Sequence, residues 1–205
     1  ITSFKIEYTL PSTVEYVEVD GTPKIKRGWN LLSMPVRPTN NFWKNVYPNG
    51  INKPWRYSMR GYQDEEYLKP GVGYFIRYSD KVDTRFAGTP LRRITIEQYD
   101  ELLLPKEDLY SDTVRVYPDK DRADGADWNT IGGLTRPVSI ERIEFSPFDL
   151  ELPDKNFTLR KGVWGYKTGK GYYETYQLEP GFGYWIKTDA SGYVSLVDPM
   201  AARIS

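Results

Sequence analysis

The sequence contains no cysteine and no histidine among its 205 residues. These absences exclude thiol nucleophiles, serine–histidine triads, imidazole general bases and the usual ligand sets of zinc sites. Lysine plus arginine and aspartate plus glutamate number 28 each, so the net charge is zero. A neutral chain has no overall field that attracts nucleic acid or an anionic membrane. Apolar runs of the ~20 residues that span a bilayer are also lacking, which argues against membrane insertion.

Aromatic side chains are abundant and make up 15% of the residues. Such side chains favour the half-buried faces of strands. A nine-residue phrase, LKPGVGYFI at residues 68–76, returns as LEPGFGYWI at residues 178–186 with six identical positions. We infer an internal duplication. The sequence therefore predicts an all-β fold built from two tandem, pseudo-symmetric β repeats, arranged as a sandwich or a barrel-like structure.

The repeated phrase predicts a turn followed by a strand. Pro70-Gly71 suits the centre of a type II turn, because proline fixes φ and glycine supplies a positive φ. Gly73 predicts a close backbone approach, for which an indole ring is one candidate partner. The phrase precedes a strand and not a helix, so it is not a phosphate-binding loop.

The duplication divides the chain into four segments. We expect an N-terminal strand and hairpin in residues 1–27, a first repeat in residues 28–90 and a second repeat in residues 127–205. A connector with an acidic loop occupies residues 91–126, and it is predicted to start as a strand and continue as a short helix near residues 96–104. Small repeats bury proportionately little surface, which favours one shared core.

The N-terminal segment alternates apolar and polar residues, which is typical of a half-buried strand. Its apolar positions are Phe4, Ile6, Tyr8 and Leu10. This strand can pair within its own domain or add to the exposed sheet edge of a neighbouring molecule. Further along, Asp20-Gly21 predicts a type I′ turn that joins two strands in a hairpin.

Two sets of tryptophans differ in how they relate to the duplication. Equivalent positions in both copies hold Trp29, Trp55, Trp128 and Trp164. These four indoles are either a sugar-stacking platform or the core of a small β fold. Trp43 and Trp185 lack a tryptophan counterpart, so they are candidates for surface contacts.

Tyrosines on the predicted hairpins are further candidates for a binding surface, because tyrosine offers a large contact area at low entropic cost. They are Tyr62, Tyr67, Tyr172, Tyr173 and Tyr176. We expect them to bind glycans or neighbouring subunits, or to form cross-strand pairs that stabilise the hairpins.

Four carboxylates in a short loop form the one pattern that resembles a cation site. They are Asp119, Asp121, Asp124 and Asp127, and they supply hard oxygen ligands of the kind Ca²⁺ prefers. Their spacing differs from that of an EF-hand, and Lys120 and Arg122 dilute the charge, which favours a solvated turn. No cofactor other than this calcium ion is expected.

Other carboxylates do not predict catalysis. The run Asp64-Glu65-Glu66 aligns with Glu174-Thr175-Tyr176 in the second copy, so the copies do not share an acid pair. No combination of nucleophile, base and orienting group is visible, and the sequence indicates a protein that is not an enzyme.

The sequence also resembles a known kind of module. GWNLLSMP at residues 28–35, Trp55-Arg56-Tyr57 and PGVGYFI at residues 70–76 are similar to tandem β-repeat modules of bacterial secreted and cell-surface proteins. The pattern of those modules runs Gly-Trp-Asn-Leu-Ile-Ser-x-Pro, then an aromatic-rich hairpin, then Pro-Gly-x-Gly-Tyr-Trp-Val. The resemblance implies a non-catalytic chain that is secreted, extracellular or on the cell surface.

Two functions follow as hypotheses. The first is a structural subunit that self-associates into a filament or surface layer, joined by the N-terminal strand. The alternative is a carbohydrate-binding or adhesion module that uses exposed tyrosine and tryptophan.

Overall fold

The computed structural model describes residues 17–58, 61–97, 128–147, 159–188 and 192–198. The strands of the first half are β1 (Val17–Ile25), β2 (Gly28–Leu32), β3 (Val36–Arg37), β4 (Trp55–Ser58), β5 (Gly61–Asp64), β6 (Tyr74–Tyr78), β7 (Val82–Pro90) and β8 (Arg93–Glu97). Those of the second half are β9 (Trp128–Gly132), β10 (Val138–Ser139), β11 (Ile143–Pro147), β12 (Leu159–Lys167), β13 (Gly171–Thr175), β14 (Gln177–Leu178), β15 (Gly183–Thr188) and β16 (Gly192–Val197). Helical segments in these ranges are α1 (Trp43–Val46) and a single 3-10 turn (Ile140–Arg142).

The two copies build the same four-stranded antiparallel sheet. Its order is β2-β6-β4-β5 in the first copy and β9-β15-β12-β13 in the second, so equivalent strands occupy equivalent places. Smaller sheets, β1-β7-β3 and β11-β16-β8, complete the copies, and β10 pairs with β14. No sheet among the described strands closes into a barrel. The predicted all-β fold with two pseudo-symmetric repeats is confirmed, and its arrangement is that of a sandwich.

One buried cluster contains side chains from both copies. Leu32, Tyr74 and Ile76 of the first copy join Ile131 and Tyr184 of the second, and each is at most 2% exposed. Fully burying a side chain of this kind stabilises the fold by about 1.5–3 kcal/mol. The copies therefore share a single core, as the small size of each repeat favoured.

The backbones of the copies meet around a pseudo-twofold axis. The amide of Ser33 donates to the Gly181 carbonyl at 2.9 Å, and the amide of Gly132 donates to the Gly71 carbonyl at 2.7 Å. Gly132 is the counterpart of Ser33, and Gly71 that of Gly181, so these two hydrogen bonds are symmetry equivalents. They tie the turn of each copy to the first core strand of the other.

The repeated phrase forms the predicted turn in both copies. Gly71 and Gly181 have φ of 81° and 76°, as the third residue of a type II turn requires. The tyrosine that follows locks the turn, because the Tyr74 hydroxyl accepts the Lys69 amide at 2.8 Å. In the second copy the Tyr184 hydroxyl accepts the amide of Glu179 at 2.7 Å. Pro, Gly and Tyr thus recur together because all three form or stabilise this turn.

Gly73 makes the predicted close approach, but its partner is backbone and not an indole. A Cβ atom at Gly73 would lie 2.8 Å from the Ile131 carbonyl oxygen and 3.3 Å from the Gly183 Cα. A Cβ at Gly183 would in turn lie 3.1 Å from the Gly73 Cα. The second glycine of each phrase is therefore required where the copies touch.

The hairpin predicted at Asp20-Gly21 is wrong. These residues lie inside β1, which pairs antiparallel with β7 along its length. Asp20 pairs with Arg85 and Lys24 with Asp83, so β1 carries extra residues as a bulge at this point. A glycine suits a bulge as well as a turn, and a bulge forms here because β7 pairs with β1 on both sides of this point.

The connector is described only at its start. The predicted strand there is confirmed by β8, which also takes in residues 96 and 97 of the predicted short helix. Residues 98–104 and the acidic loop lie outside the described residues. The N-terminal positions Phe4, Ile6, Tyr8 and Leu10 lie outside them too.

Candidate functional site

The four-stranded sheets carry a second, aromatic cluster on the face opposite the shared core. On β6, Tyr74 and Ile76 belong to the core while Phe75 between them belongs to this second cluster. On β15, Trp185 lies there in the same way between Tyr184 and Ile186. Because successive side chains of a strand point to opposite faces, both copies place an aromatic residue in this second cluster.

Ring contacts join the copies across this cluster in symmetric pairs. The ring centroids of Tyr57 and Trp185 lie 4.9 Å apart, and those of Tyr166 and Phe75 lie 5.6 Å apart. Tyr166 is the counterpart of Tyr57, and Trp185 that of Phe75. Edge-to-face and tilted pairs at these distances contribute about 0.5–1.5 kcal/mol each beyond the buried area.

A pocket of about 560 Å³ opens where the two copies meet in this cluster. The described residues that line it are all aromatic, and they are Tyr57, Tyr62, Trp128, Trp164, Tyr172 and Trp185. We call this pocket the aromatic cleft. Tyr62 and Tyr172 are 54% and 55% exposed, whereas Trp185 is only 8% exposed. The cleft therefore has tyrosines that face solvent and a buried indole.

None of the described residues that line the aromatic cleft carries a formal charge, and the Lys187 Nζ lies 6.0 Å from the ring centroid of Trp128. Burial, followed by the neighbouring Tyr172 hydroxyl, raises the pKa of Tyr62. Burial is also the main cause that raises the pKa of Tyr172; the Tyr166 hydroxyl adds to it and the Trp185 indole opposes it. Both phenols are consequently neutral near pH 7 and able to donate and accept hydrogen bonds.

Among the described lining residues, one buried polar atom makes no hydrogen bond of standard geometry. The indole nitrogen of Trp185 is buried, and no described residue accepts its hydrogen in hydrogen-bonding geometry. The Tyr172 hydroxyl is near enough for the two groups to interact, but it does not meet that geometry. The nitrogen is shut off from solvent, so the Tyr172 hydroxyl is the group with which this N–H interacts.

The structure corrects the expectation that Trp43 lies on the surface. Its indole is 7% exposed and packs in the shared core, because α1 begins at Trp43 and turns the ring inward over Gly50. Trp185 was expected on the surface as well and is buried, but it lines the aromatic cleft.

The four tryptophans that recur in both copies are neither purely core residues nor purely an exposed sugar-stacking platform. Trp29, Trp128 and Trp164 are half-buried and Trp55 is 38% exposed, and all but Trp55 pack against the second cluster. Trp29 and Trp55 stack on each other at 5.1 Å. Trp128 and Trp164 line the cleft, so they serve as packing and as an accessible platform.

The predicted tyrosines divide between the cleft and the remaining surface. Tyr62, Tyr67, Tyr172 and Tyr176 are exposed, and Tyr173 is half-buried. Only Tyr62 and Tyr172 of this set line the cleft. They also form the expected cross-strand pairs, since Tyr57 is in register with Tyr62 and Tyr166 with Tyr172.

Sequence reasoning missed Tyr57 as a site residue. The sequence does contain a pattern that points to Tyr57, because Tyr57 and Tyr62 recur as Tyr166 and Tyr172 on the equivalent hairpin. A tyrosine pair kept in both copies indicates a shared role, but it does not show that the two hairpins lie side by side.

Acidic residues in the described part of the chain form ion pairs and do not gather into a metal site. Lys53 binds Glu66 at 2.6 Å, and Arg56 binds Glu65 at 2.8 Å, so this acidic run is engaged in ion pairs. No group of three or more acidic residues suited to a metal ion occurs in the described part of the chain. The four aspartates proposed for calcium, Asp119, Asp121, Asp124 and Asp127, lie outside it.

Comparison with known proteins gives no match. The chain matches no protein-family model, no curated protein and no solved structure. Among the described residues, no helix has the length and apolar character needed to cross a membrane.

Proposed function

We propose that the chain is a non-catalytic carbohydrate-binding module of an extracellular or cell-surface protein. The aromatic cleft carries this proposal, because the described residues that line it are six aromatic side chains. A pocket of mostly apolar lining with a few polar groups is the usual form of a small-ligand site. The similarity of the repeats to modules of secreted proteins supports the location.

The chemistry of the cleft fits a neutral sugar. A pyranose ring presents a face of C–H groups, which packs against the flat surface of an indole or phenol, while its hydroxyls reach the tyrosine oxygens at the opening. Trp164 and Tyr172 on one side and Tyr57 and Tyr62 on the other provide such surfaces. The described lining residues offer no charged side chain to an ionic ligand.

We predict that Tyr172→Ala weakens glycan binding about tenfold, because it removes an exposed ring from the cleft and costs more than ~1 kcal/mol, as central aromatic contacts do. Tyr172 is 55% exposed, so the fold should survive the change. The measurement is a glycan array on the wild-type chain, followed by calorimetric titration of the best glycan with both proteins.

Tyr176→Ala is the matched control for this experiment. Tyr176 is 72% exposed, lies close in sequence on the same copy, and does not line the cleft. Its affinity should equal that of the wild type. An equal loss in both variants would contradict the proposal, as would an array with no glycan above background.

A second proposal is self-assembly by strand addition. Among the described strands, β5 and β13 lie at the ends of their sheets and pair on one side only. Such edges offer unpaired backbone groups to an incoming strand. The apolar alternation at Phe4, Ile6, Tyr8 and Leu10 supplies a strand from a neighbouring molecule.

Deleting residues 1–10 should abolish assembly and leave a folded monomer. Electron microscopy of the native protein should show filaments or lattices that the deletion variant does not form, and circular dichroism should show unchanged strand content. A wild-type chain that stays monomeric in sedimentation at high concentration would rule this proposal out.

A further inference from the structure

Trp55 is an exposed indole that lies beside the aromatic cleft and not in it. It is 38% exposed, and of the four tryptophans that recur in both copies it alone does not pack against the second cluster. Its ring centroid lies 6.2 Å from that of Tyr62, which lines the cleft, and 5.1 Å from that of Trp29. Neighbouring rings therefore hold this indole in place while part of its surface stays open to solvent.

The Trp55 side chain projects to the same face of the sheet as the cleft. Trp55 and Tyr57 are two residues apart on β4, so their side chains point to one side, and Tyr57 lines the cleft. The rise per residue of a strand places these two positions about 7 Å apart. A ligand that fills the cleft and continues along β4 therefore reaches Trp55.

Polar side chains flank Trp55 on this face. Asp64 of β5 lies directly opposite Trp55 in the antiparallel register, and residues in that relation share a face of the sheet. Its carboxylate is 60% exposed and lies 3.7 Å from the Lys53 Nζ. A carboxylate accepts hydrogen bonds and an ammonium group donates them, so together they satisfy a sugar hydroxyl. An indole with both groups beside it suits a sugar ring.

The charges near Trp55 favour a neutral sugar over an acidic one. Lys53 binds Glu66 at 2.6 Å as well as Asp64, so two carboxylates share one ammonium group. The three side chains are negative overall and repel a ligand that carries a carboxylate or sulfate.

The second copy repeats the pairing of indole and carboxylate. Trp164 and Glu174, the counterparts of Trp55 and Asp64, are also opposite each other in the register of their strands. Trp164 lines the cleft, whereas Trp55 lies outside it. The two copies thus offer two similar surfaces to a ligand that is itself built of repeated units.

We propose that the aromatic cleft is the inner part of a longer site, which binds an extended chain of β-1,4-linked glucose units and places an outer unit on Trp55. Every substituent of a β-linked glucose ring is equatorial, so each unit presents faces of C–H groups to an aromatic ring and the chain runs straight. The inference rests on the proposed carbohydrate function and adds the kind of chain and the residue that contacts its outer unit.

The test compares a dimer and a hexamer of β-1,4-linked glucose in calorimetric titrations of the full chain. The hexamer should bind about tenfold more tightly, because a unit already tethered in the cleft's ligand meets Trp55 at high effective concentration. Trp55→Ala should weaken hexamer binding about five- to tenfold and leave dimer binding unchanged, since the dimer occupies the cleft. Trp55→Phe keeps a ring at this position and should retain most of the difference between hexamer and dimer.

A protein control and a ligand control accompany this test. Tyr67→Ala removes another exposed ring of the first copy, 51% exposed and 5.8 Å from the ring of Phe42, which does not line the cleft. Its affinity for both oligomers should equal that of the wild type. A hexamer of α-1,4-linked glucose curves into a helix, so it should bind no more tightly than its own dimer.

The outcomes separate this inference from the function on which it rests. A β-linked hexamer that binds no more tightly than the dimer would overturn the extended site, as would the same gain with length in the α-linked series. Equal losses for dimer and hexamer in Trp55→Ala would show that Trp55 only supports the fold of the cleft. Binding of neither β-linked oligomer would overturn the inference alone if the glycan array shows another ligand, and both proposals if the array is empty.

Discussion

Gly73→Ala should destabilise the protein by about 3 kcal/mol or more, as overpacking against rigid backbone does. The added Cβ would lie 2.8 Å from the carbonyl oxygen of Ile131 and 3.1 Å from the Cβ of Thr130. Both atoms belong to β9 of the other copy, where the core strands leave no room to retreat. Urea unfolding followed by circular dichroism measures the loss.

Gly61→Ala is the control for this prediction. Gly61 has a φ of 81°, and a Cβ there would meet nothing within 4 Å. Its cost is therefore backbone strain alone, about 1–2 kcal/mol. If Gly73→Ala costs no more than Gly61→Ala, the two copies do not meet at this glycine.

Raising the pH above about 10 should unfold the protein cooperatively, because that is the ordinary pKa of tyrosine in an unfolded chain. Burial raises the pKa of four core tyrosines above that value, and they are Tyr47, Tyr74, Tyr78 and Tyr184. The folded state thus favours the neutral phenol. Their contribution to stability is complete below pH ~10 and is lost as the pH rises towards the folded pKa values.

The expected size of this alkaline effect is large. Each tyrosine costs about 1.4 kcal/mol per pH unit above the unfolded pKa, so four cost about 5–6 kcal/mol at pH ~11, a large share of the total stability of a typical domain. Of the 17 tyrosines, these four should add their tyrosinate absorbance only when the circular dichroism signal of the fold is lost. Ionisation of all the tyrosines in a chain that is still folded would contradict the burial of these four.

Tyr78→Phe sharpens the alkaline experiment. The Tyr78 hydroxyl is buried and has no partner among the described residues, so its removal should raise the pH midpoint of unfolding. Tyr176→Phe, at a residue that is 72% exposed, should leave the midpoint unchanged.

The duplication made the fold predictable from the sequence, but it did not reveal the aromatic cleft. Pro70-Gly71 and Tyr74 recur with their copies because each makes a local hydrogen bond or turn, and local rules of this kind are visible in sequence. Asp20-Gly21 failed because the choice between turn and bulge depends on β7, a strand more than sixty residues away.

The aromatic cleft depends on contacts between the two copies, and the alternation of apolar and polar residues along a strand does not predict such contacts. Tyr74, Phe75 and Ile76 are all buried, so this part of β6 shows no alternation of apolar and polar residues and its pattern does not reveal two separate clusters. Alternation shows which residues share a face, but not what covers that face. Trp43 was misplaced for a related reason, since one turn of helix is too short to display a period.

Nuclear magnetic resonance of the indole N–H groups tests the central claim most directly. The chain has six tryptophans, and each gives one indole N–H signal, which single Trp→Phe variants assign. On addition of the glycan that binds best on the array, the account predicts shifts at Trp128, Trp164 and Trp185, with the Trp43 signal in the core unchanged. Signals that do not move, or that move at Trp43 and not at the cleft, would contradict a carbohydrate site between the two copies.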